Sequence, residues 1–264
     1  MYKRQDIIAY QFSSQNLVYY EVQGEIIIAE HTVPTSSSLL DGRIFVGDVN
    51  GDGFPEFALR SSLFINLGTT NAFSKVNPGF DRIIGLGDID LDGDLDIMAV
   101  PPSSFGGPFR IYPNDGTGTF SVGQLFIDLG LATHVVVVDI NQDGHMDMIS
   151  ARKNALNKAG PGIHLNDGNN QFTGFLTYDN MDSASAVQIA VVDIDNDSSF
   201  ELIQAYGTDV DRIEMDLNCS IAYSFNGVLD TFSEAIITSN SWEKNLGILP
   251  VSYTHLTLPT ICSV

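Results

Sequence analysis

The feature that most constrains this chain is a short acidic pattern that returns in step along it. GDVNGDGFPEFAL from Gly47, GDIDLDGDLDIMA from Gly87, VDINQDGHMDMIS from Val138 and VDIDNDSSFELIQ from Val192 share the form D-x-[DN]-x-D-[GS]-x-x-[DE]. Their first aspartates, Asp48, Asp88, Asp139 and Asp193, stand 40, 51 and 54 residues apart. A fifth copy shows only its end. Asp6-Ile7-Ile8-Ala9 aligns with Asp96-Ile97-Met98-Ala99, and Asp6 precedes Glu56 by 50 residues. Such a period, within the range of about 20–50 residues, marks an array of small units that bury their apolar faces against one another.

Each acidic segment lies between two short apolar runs. Upstream are Arg43–Val46, Arg82–Leu86, His134–Val138 and Val187–Val192; downstream are Phe57–Leu59, Ile97–Val100, Met148–Ile149 and Leu202–Ile203. Val, Ile and Phe dominate, which predicts strands. A second hairpin follows in each period: Phe64–Gly68 then Phe73, Ile111–Gly116 then Phe120, Ile163–Gly168 then Phe172, and Tyr223–Gly227 then Phe232. Asp115-Gly116 and Asp167-Gly168 predict tight hairpin turns with both central residues at positive φ. The partial copy offers Leu17–Tyr20 and Glu25–Ala29. With no long amphipathic helical segment, four strands per period predict an all-β, partial β-propeller of four-stranded antiparallel blades. A sandwich, the competing all-β reading, needs no repeated sequence. The expected blades are residues 6–42 (partial), 43–81, 82–133, 134–186 and 187–243.

Oxygens at positions 1, 3 and 5 of a tight loop converge on one point, a carbonyl at position 7 joins them, and a carboxylate at 9 closes the shell. The candidate ligands are Asp48, Asn50, Asp52, Phe54 and Glu56; Asp88, Asp90, Asp92, Asp94 and Asp96; Asp139, Asn141, Asp143, His145 and Asp147; and Asp193, Asp195, Asp197, Ser199 and Glu201. An all-oxygen set suits Ca²⁺ at up to four sites, with Mg²⁺ the second choice because it wants stricter octahedral geometry. No His or Cys stands at positions 1, 3, 5 or 9, which argues against Zn²⁺ and Cu²⁺. Position 12 is Leu59, Ala99, Ser150 or Gln204, so these are not EF-hands. The Asp88 loop is expected to bind tightest. The Asp193 loop is expected to bind weakest for its charge, because Ser198 replaces the glycine at the sharp turn.

These loops, with Ser104-Phe105-Gly106-Gly107-Pro108 and the Asn-Asp-Gly-x-Gly-x-Phe run at Asn114–Phe120, resemble FG-GAP/VCBS repeats. The resemblance covers most of residues 6–250. It implies the integrin α-like calcium-bearing β-propeller, with the metal in the loop between a blade's first and second strands and about seven blades in a closed ring. Only four loops and one partial copy are present, so the ring is expected to be incomplete and its open apolar faces prone to aggregation.

The ends read differently. Val251–Thr260 (VSYTHLTLPT) can be encoded by the mosaic end and adapter of transposase-made sequencing libraries, and Tyr2–Gln5 (YKRQ) by its reverse complement. Residues 1–5 and 251–264 are therefore expected to be foreign. The formal net charge of −21 argues against nucleic acid and anionic membrane surfaces as partners. A hydrophobic fraction of 44% is enough for a packed core. No apolar run is long enough to span a membrane as a helix, and two cysteines make no disulfide scaffold.

The expected function is a secreted or cell-surface binding or adhesion module, with structural Ca²⁺ and an unidentified protein or carbohydrate ligand. Ligand contacts are expected from Pro101–Pro108, Arg152–Pro161 and Gly207–Cys219, where Arg152, Lys153 and Lys158 could meet acidic sugars or carboxylates. The alternative is the propeller domain of a polysaccharide lyase or hydrolase. No G-x-S-x-G, H-E-x-x-H or phosphate-loop motif supports catalysis. His134 and His164, on strand patterns, are expected to be packed. The sequence leaves the oligomeric state open.

Overall fold

The computed structural model describes residues 6–11, 16–23, 26–33, 43–68, 72–77, 79–80, 82–100, 108–126, 131–153, 161–169, 171–177, 185–192, 200–207, 217–225 and 232–237. All regular structure among them is β. The first sheet runs β1 (Ile7–Gln11), β2 (Asn16–Gln23), β3 (Ile26–Val33). The second runs β4 (Ile44–Gly47), β5 (Glu56–Leu59), β6 (Ser62–Asn66), β7 (Phe73–Val76). The third runs β8 (Arg82–Gly87), β9 (Asp96–Val100), β10 (Phe109–Tyr112), β11 (Leu125–Phe126). The fourth runs β12 (Leu131–Val138), β13 (Asp147–Lys153), β14 (Gly162–Asn166), β15 (Phe172–Thr177). The fifth runs β16 (Ser185–Val192), β17 (Glu201–Gly207), β18 (Leu217–Phe225), β19 (Phe232–Ile237). Each strand pairs antiparallel with the next in sequence, so the sheets are meanders, the blade topology of a partial β-propeller.

Successive sheets pack through their first strands: β4 meets β8, β8 meets β12 and β12 meets β16. The apolar residues of each sheet fill the space to its neighbour. Leu17, Val33, Phe57, Leu59 and Phe64 join the first sheet to the second. Phe45, Val49, Ala58, Leu63, Ile83 and Ile97 join the second to the third. Ile84, Met98, Phe109, Val135 and Met148 join the third to the fourth. Each fully buried aliphatic or aromatic side chain contributes about 1.5–3 kcal/mol, and no sheet could bury its set alone. Gly85 and Gly87 allow the third sheet to approach the fourth closely. A Cβ on Gly85 would lie 2.7 Å from the Val135 carbonyl oxygen, and one on Gly87 would lie 2.7 Å from Val137 Cβ.

Some details correct the sequence reading. β12 and β16 begin at Leu131 and Ser185, ahead of the runs read from His134 and Val187. A β-bulge at Ala132/His134 and at Ala186/Gln188 lets the extra residues pair without disturbing the inward set. The outer strand of the third sheet does not run from Phe120. Pro113 has no N–H to donate, so β10 ends at Tyr112, Phe120 makes only an isolated bridge to Asn114, and β11 is two residues long. Arg152, expected on a ligand loop, is fully buried on β13 and donates to the Pro161 carbonyl. His134 and His164 are packed. His134 Nδ1 accepts from the Ile189 N–H at 3.2 Å, and His164 sits edge-on to Phe109 and Phe126. Burial pushes both imidazoles down, with Arg43 adding to the effect at His134 and Arg152 at His164, whose pKa falls to about 4.

Candidate metal centre

The Asp48, Asp88 and Asp139 loops each join the first strand of a sheet to the second, and the three share one construction. Their backbone is left-handed twice. At position 6, Gly53, Gly93 and Gly144 have φ of 85°, 98° and 90°; at position 4, Gly51, Leu91 and Gln142 have φ of 71°, 62° and 59°. The first set is the glycine requirement read from sequence. The second is a strain the sequence hides, because Leu91 and Gln142 carry side chains in a region that costs about 1–2 kcal/mol.

These two reversals turn the acids inward onto the loop's own amides. The position-1 carboxylate accepts from the glycine N–H: Gly53 to Asp48 at 2.8 Å, Gly93 to Asp88 at 3.1 Å, Gly144 to Asp139 at 2.9 Å. The position-3 oxygen of Asn50, Asp90 or Asn141 accepts from the N–H of position 5. The Asp52, Asp92 or Asp143 carboxylate accepts from the N–H of position 7. The position-7 side chains turn away from this centre: Phe54, Asp94 and His145 lie over Gly68, Gly116 and Gly168.

Position 9 is the hub. Glu56, Asp96 and Asp147 are fully buried at the start of β5, β9 and β13. One oxygen of each accepts from the N–H of position 2, namely Val49 at 2.9 Å, Ile89 at 3.0 Å and Ile140 at 3.1 Å. The other accepts from the backbone N–H of an asparagine on or just beyond the third strand: Asn66 at 3.2 Å, Asn114 at 2.8 Å and Asn166 at 2.8 Å. Burial raises the affinity of all three for a proton, and these N–H bonds only partly oppose it; Asp96 is pushed up to about 6. Burial, then the Asp92 charge, also raises Asp90.

The asparagines were not foreseen as site residues. Each amide donates to the carbonyl of position 8 in its own loop, from Asn66 to Pro55, Asn114 to Leu95 and Asn166 to Met146. Their signal is Asn-x-Gly at the end of the third strand, with Gly68, Gly116 and Gly168 at φ of 67°, 78° and 82°. The register gives the same place to Val22 in the first sheet and Phe225 in the fifth, since Ile7 pairs with Tyr20 and Leu202 with Tyr223 as Phe57 pairs with Phe64. Asp6 keeps the hub's pattern there, accepting from the Val22 N–H at 2.9 Å.

The Asp-Gly turns differ from the two-residue type. Asp115 and Asp167 do not take positive φ. Each instead accepts from N–H groups two and four residues on, at Thr117 and Thr119 and at Asn169 and Gln171, which builds a longer loop. That loop closes through Asp115 N–H to Thr119 and Asp167 N–H to Gln171.

The Asp88 loop brings most charge to a point. One oxygen each from Asp88, Asp90 and Asp96 lie within 4.8 Å of one another, and Asp92 falls outside that group. Oxygens around a centre at about 2.4 Å can be up to about 4.8 Å apart, so the three fit a common hard cation. A second observation points the same way. Asp88 Oδ1 and Asp48 Oδ1 are buried with no hydrogen-bond donor, an arrangement that costs about 1–3 kcal/mol for each atom unless something positive completes it. At Asp139 the matching oxygen is occupied by the Asp143 N–H at 3.0 Å. Of the fourth predicted loop, Asp193, Asp195, Asp197 and Ser199 lie outside the described residues, and Glu201 opens β17.

No curated protein sequence gives a significant match to this chain. The family model described as an FG-GAP-like repeat matches residues 88–150, from Asp88 at the head of the third sheet's loop to the middle of β13. Residues 88–150, which hold two acidic loops and their hubs with β9, β10 and β11 of the third sheet and β12 of the fourth between them, match an FG-GAP-like repeat.

Proposed function

We propose that the chain is a calcium-binding β-propeller module of a secreted or cell-surface protein, acting in ligand binding or adhesion. The observation that carries this reading is the Asp88 loop: three converging carboxylate oxygens and a buried Asp88 oxygen that no protein donor satisfies. Asp88, Asp90 and Asp96 would hold the ion, and Asp48 with Glu56 offers a poorer version next to it. Ca²⁺ suits irregular oxygen shells better than Mg²⁺ does. Bound there, it supplies structural charge compensation and ties the first strand of a sheet to the second.

Ligand recognition falls to the opposite ends of the sheets. Arg43, Arg60, Arg82, Arg110 and Lys153 lie toward the strand ends away from the acidic loops. This segregation supports a ligand that carries carboxylates, on protein or carbohydrate. The test is calorimetric titration of the intact chain with Ca²⁺ and separately with Mg²⁺. Saturable Ca²⁺ binding at ~1 mM or tighter, weaker Mg²⁺ binding and loss of one site in Asp88→Ala are expected. Equal binding in wild type and Asp88→Ala refutes the assignment.

A further inference from the structure

The loops of the second and third sheets touch, and one side chain reaches both. Asn114 gives its backbone N–H to the Asp96 hub and its amide to the Leu95 carbonyl, both in the third sheet's loop. The same amide also donates to the Val49 carbonyl at 2.6 Å, between Asp48 and Asn50 of the second sheet's loop. Asn66 and Asn166 make the within-loop bonds, and no matching bond to a preceding loop is described for either. Two packing contacts reinforce the bridge. Leu95 lies against Gly47, where a Cβ would be 2.3 Å from Leu95 Cδ1, and Gly118 backs onto Asn50, where a Cβ would be 3.6 Å from Asn50 Cβ.

We infer that the Asp48 and Asp88 loops bind calcium cooperatively, with Asn114 as the positioning residue that couples them. The inference rests on the calcium reading above. A cation at Asp88, Asp90 and Asp96 fixes Asp96, and so fixes the Asn114 backbone and the direction of its amide. That amide holds the Val49 carbonyl and orients the peptide groups on either side of it, which carry Asp48 and Asn50. Ordering one loop therefore prepays part of the cost of ordering the other, and the effect is reciprocal by linkage. Among the described residues the Asp139 loop has no such partner bond, and it is expected to bind alone.

The amides of Gly53 and Gly93 report each loop separately, because each donates to its own position-1 carboxylate. In ¹H–¹⁵N NMR titrations of the full chain with Ca²⁺, Asp88→Ala should weaken the affinity read at Gly53 by about five- to tenfold, and Asp48→Ala should weaken that at Gly93 by the same factor. This pair needs no change at Asn114. Asn114→Ser, which keeps the backbone N–H to Asp96, should reduce both factors to below about twofold, while Asn166→Ser should leave them intact. Saturable shifts at both glycines that ignore the other loop's knockout overturn the coupling alone. No calcium-dependent shift at either glycine overturns the calcium reading, and the coupling with it.

Discussion

Replacing Asn114 by Ala in the metal-free protein tests how much of the sheet-to-sheet joint one amide carries. The side chain is buried and makes three bonds: to the Val49 carbonyl at 2.6 Å, to the Leu95 carbonyl at 3.1 Å, and from the Gly118 N–H at 3.1 Å. Asn166 is also buried but makes two, to the Met146 carbonyl and from the Gly168 N–H, each at 3.1 Å. A neutral buried hydrogen bond contributes about 1 kcal/mol, and an abandoned buried partner raises the loss towards about 1–3 kcal/mol. Asn166→Ala should therefore cost about 2 kcal/mol. Asn114→Ala should cost about 3–4 kcal/mol, with the excess due to the Val49 carbonyl left without its donor. Urea unfolding in a chelator, with both midpoints and m-values compared, measures the difference. Equal costs within about 0.5 kcal/mol would mean that the bridge contributes nothing to stability. A lowered m-value confined to Asn114→Ala would mean instead that the sheets unfold separately.

Three further outcomes follow from the same geometry. His164 stays neutral in the native protein down to about pH 4, while the unfolded chain takes the proton near 6.5. As pH falls between those values, stability should drop by about 3 kcal/mol through this residue; urea midpoints against pH should lose that slope in His164→Phe. Asp96 acts in the opposite sense: its raised pKa means that the metal-free native state gains stability as pH falls through about 6 towards 3.8. A proton there competes with a cation, so calcium affinity at the Asp88 loop, read at the Gly93 amide, should fall by up to about tenfold per pH unit below 6. Finally, Gly93 has φ of 98° and empty space where a Cβ would go, so Gly93→Ala should cost about 1–2 kcal/mol from backbone strain alone. Leu91→Gly should be neutral or gain up to about 1 kcal/mol, and thermal melts of the two variants rank them.

The repeat and its sheets were legible because they are written locally. The acids sit at fixed offsets, and Phe57, Ile97 and Met148 follow their hubs directly, so the strand after each loop could be read without any distant contact. Positions 4 and 6 of the loops look alike in the folded backbone but not in the sequence: Gly93 announces its left-handed φ, whereas Leu91 conceals one. Asn114 was visible only as part of a motif. Its bond to Val49 spans 65 positions, and nothing near either residue signals that the two meet. The short β11 was missed for a local reason, since Phe120 matches Phe73 and Phe172 in sequence but faces a strand that Pro113 has already ended.

The acids of a loop look interchangeable in sequence and are not so in the fold. The hub carboxylates of Glu56, Asp96 and Asp147 have an N–H on each oxygen, drawn from two different segments of the sheet. They tie the loop to the third strand with protein donors, and Asp6 accepts from the Val22 N–H at the matching place. The position-1 aspartates differ. Asp48 and Asp88 each satisfy one oxygen with a glycine N–H and leave the other buried and unmatched, while Asp139 turns its second oxygen back onto its own loop. A buried carboxylate oxygen without a donor is a standing cost that a bound cation would relieve. On the calcium reading proposed above, the division of labour runs by position: the ninth residue builds the loop, and the first sets how strongly that loop would call for an ion. By that rule, the second and third sheets demand one more strongly than the fourth, although all three carry the same motif.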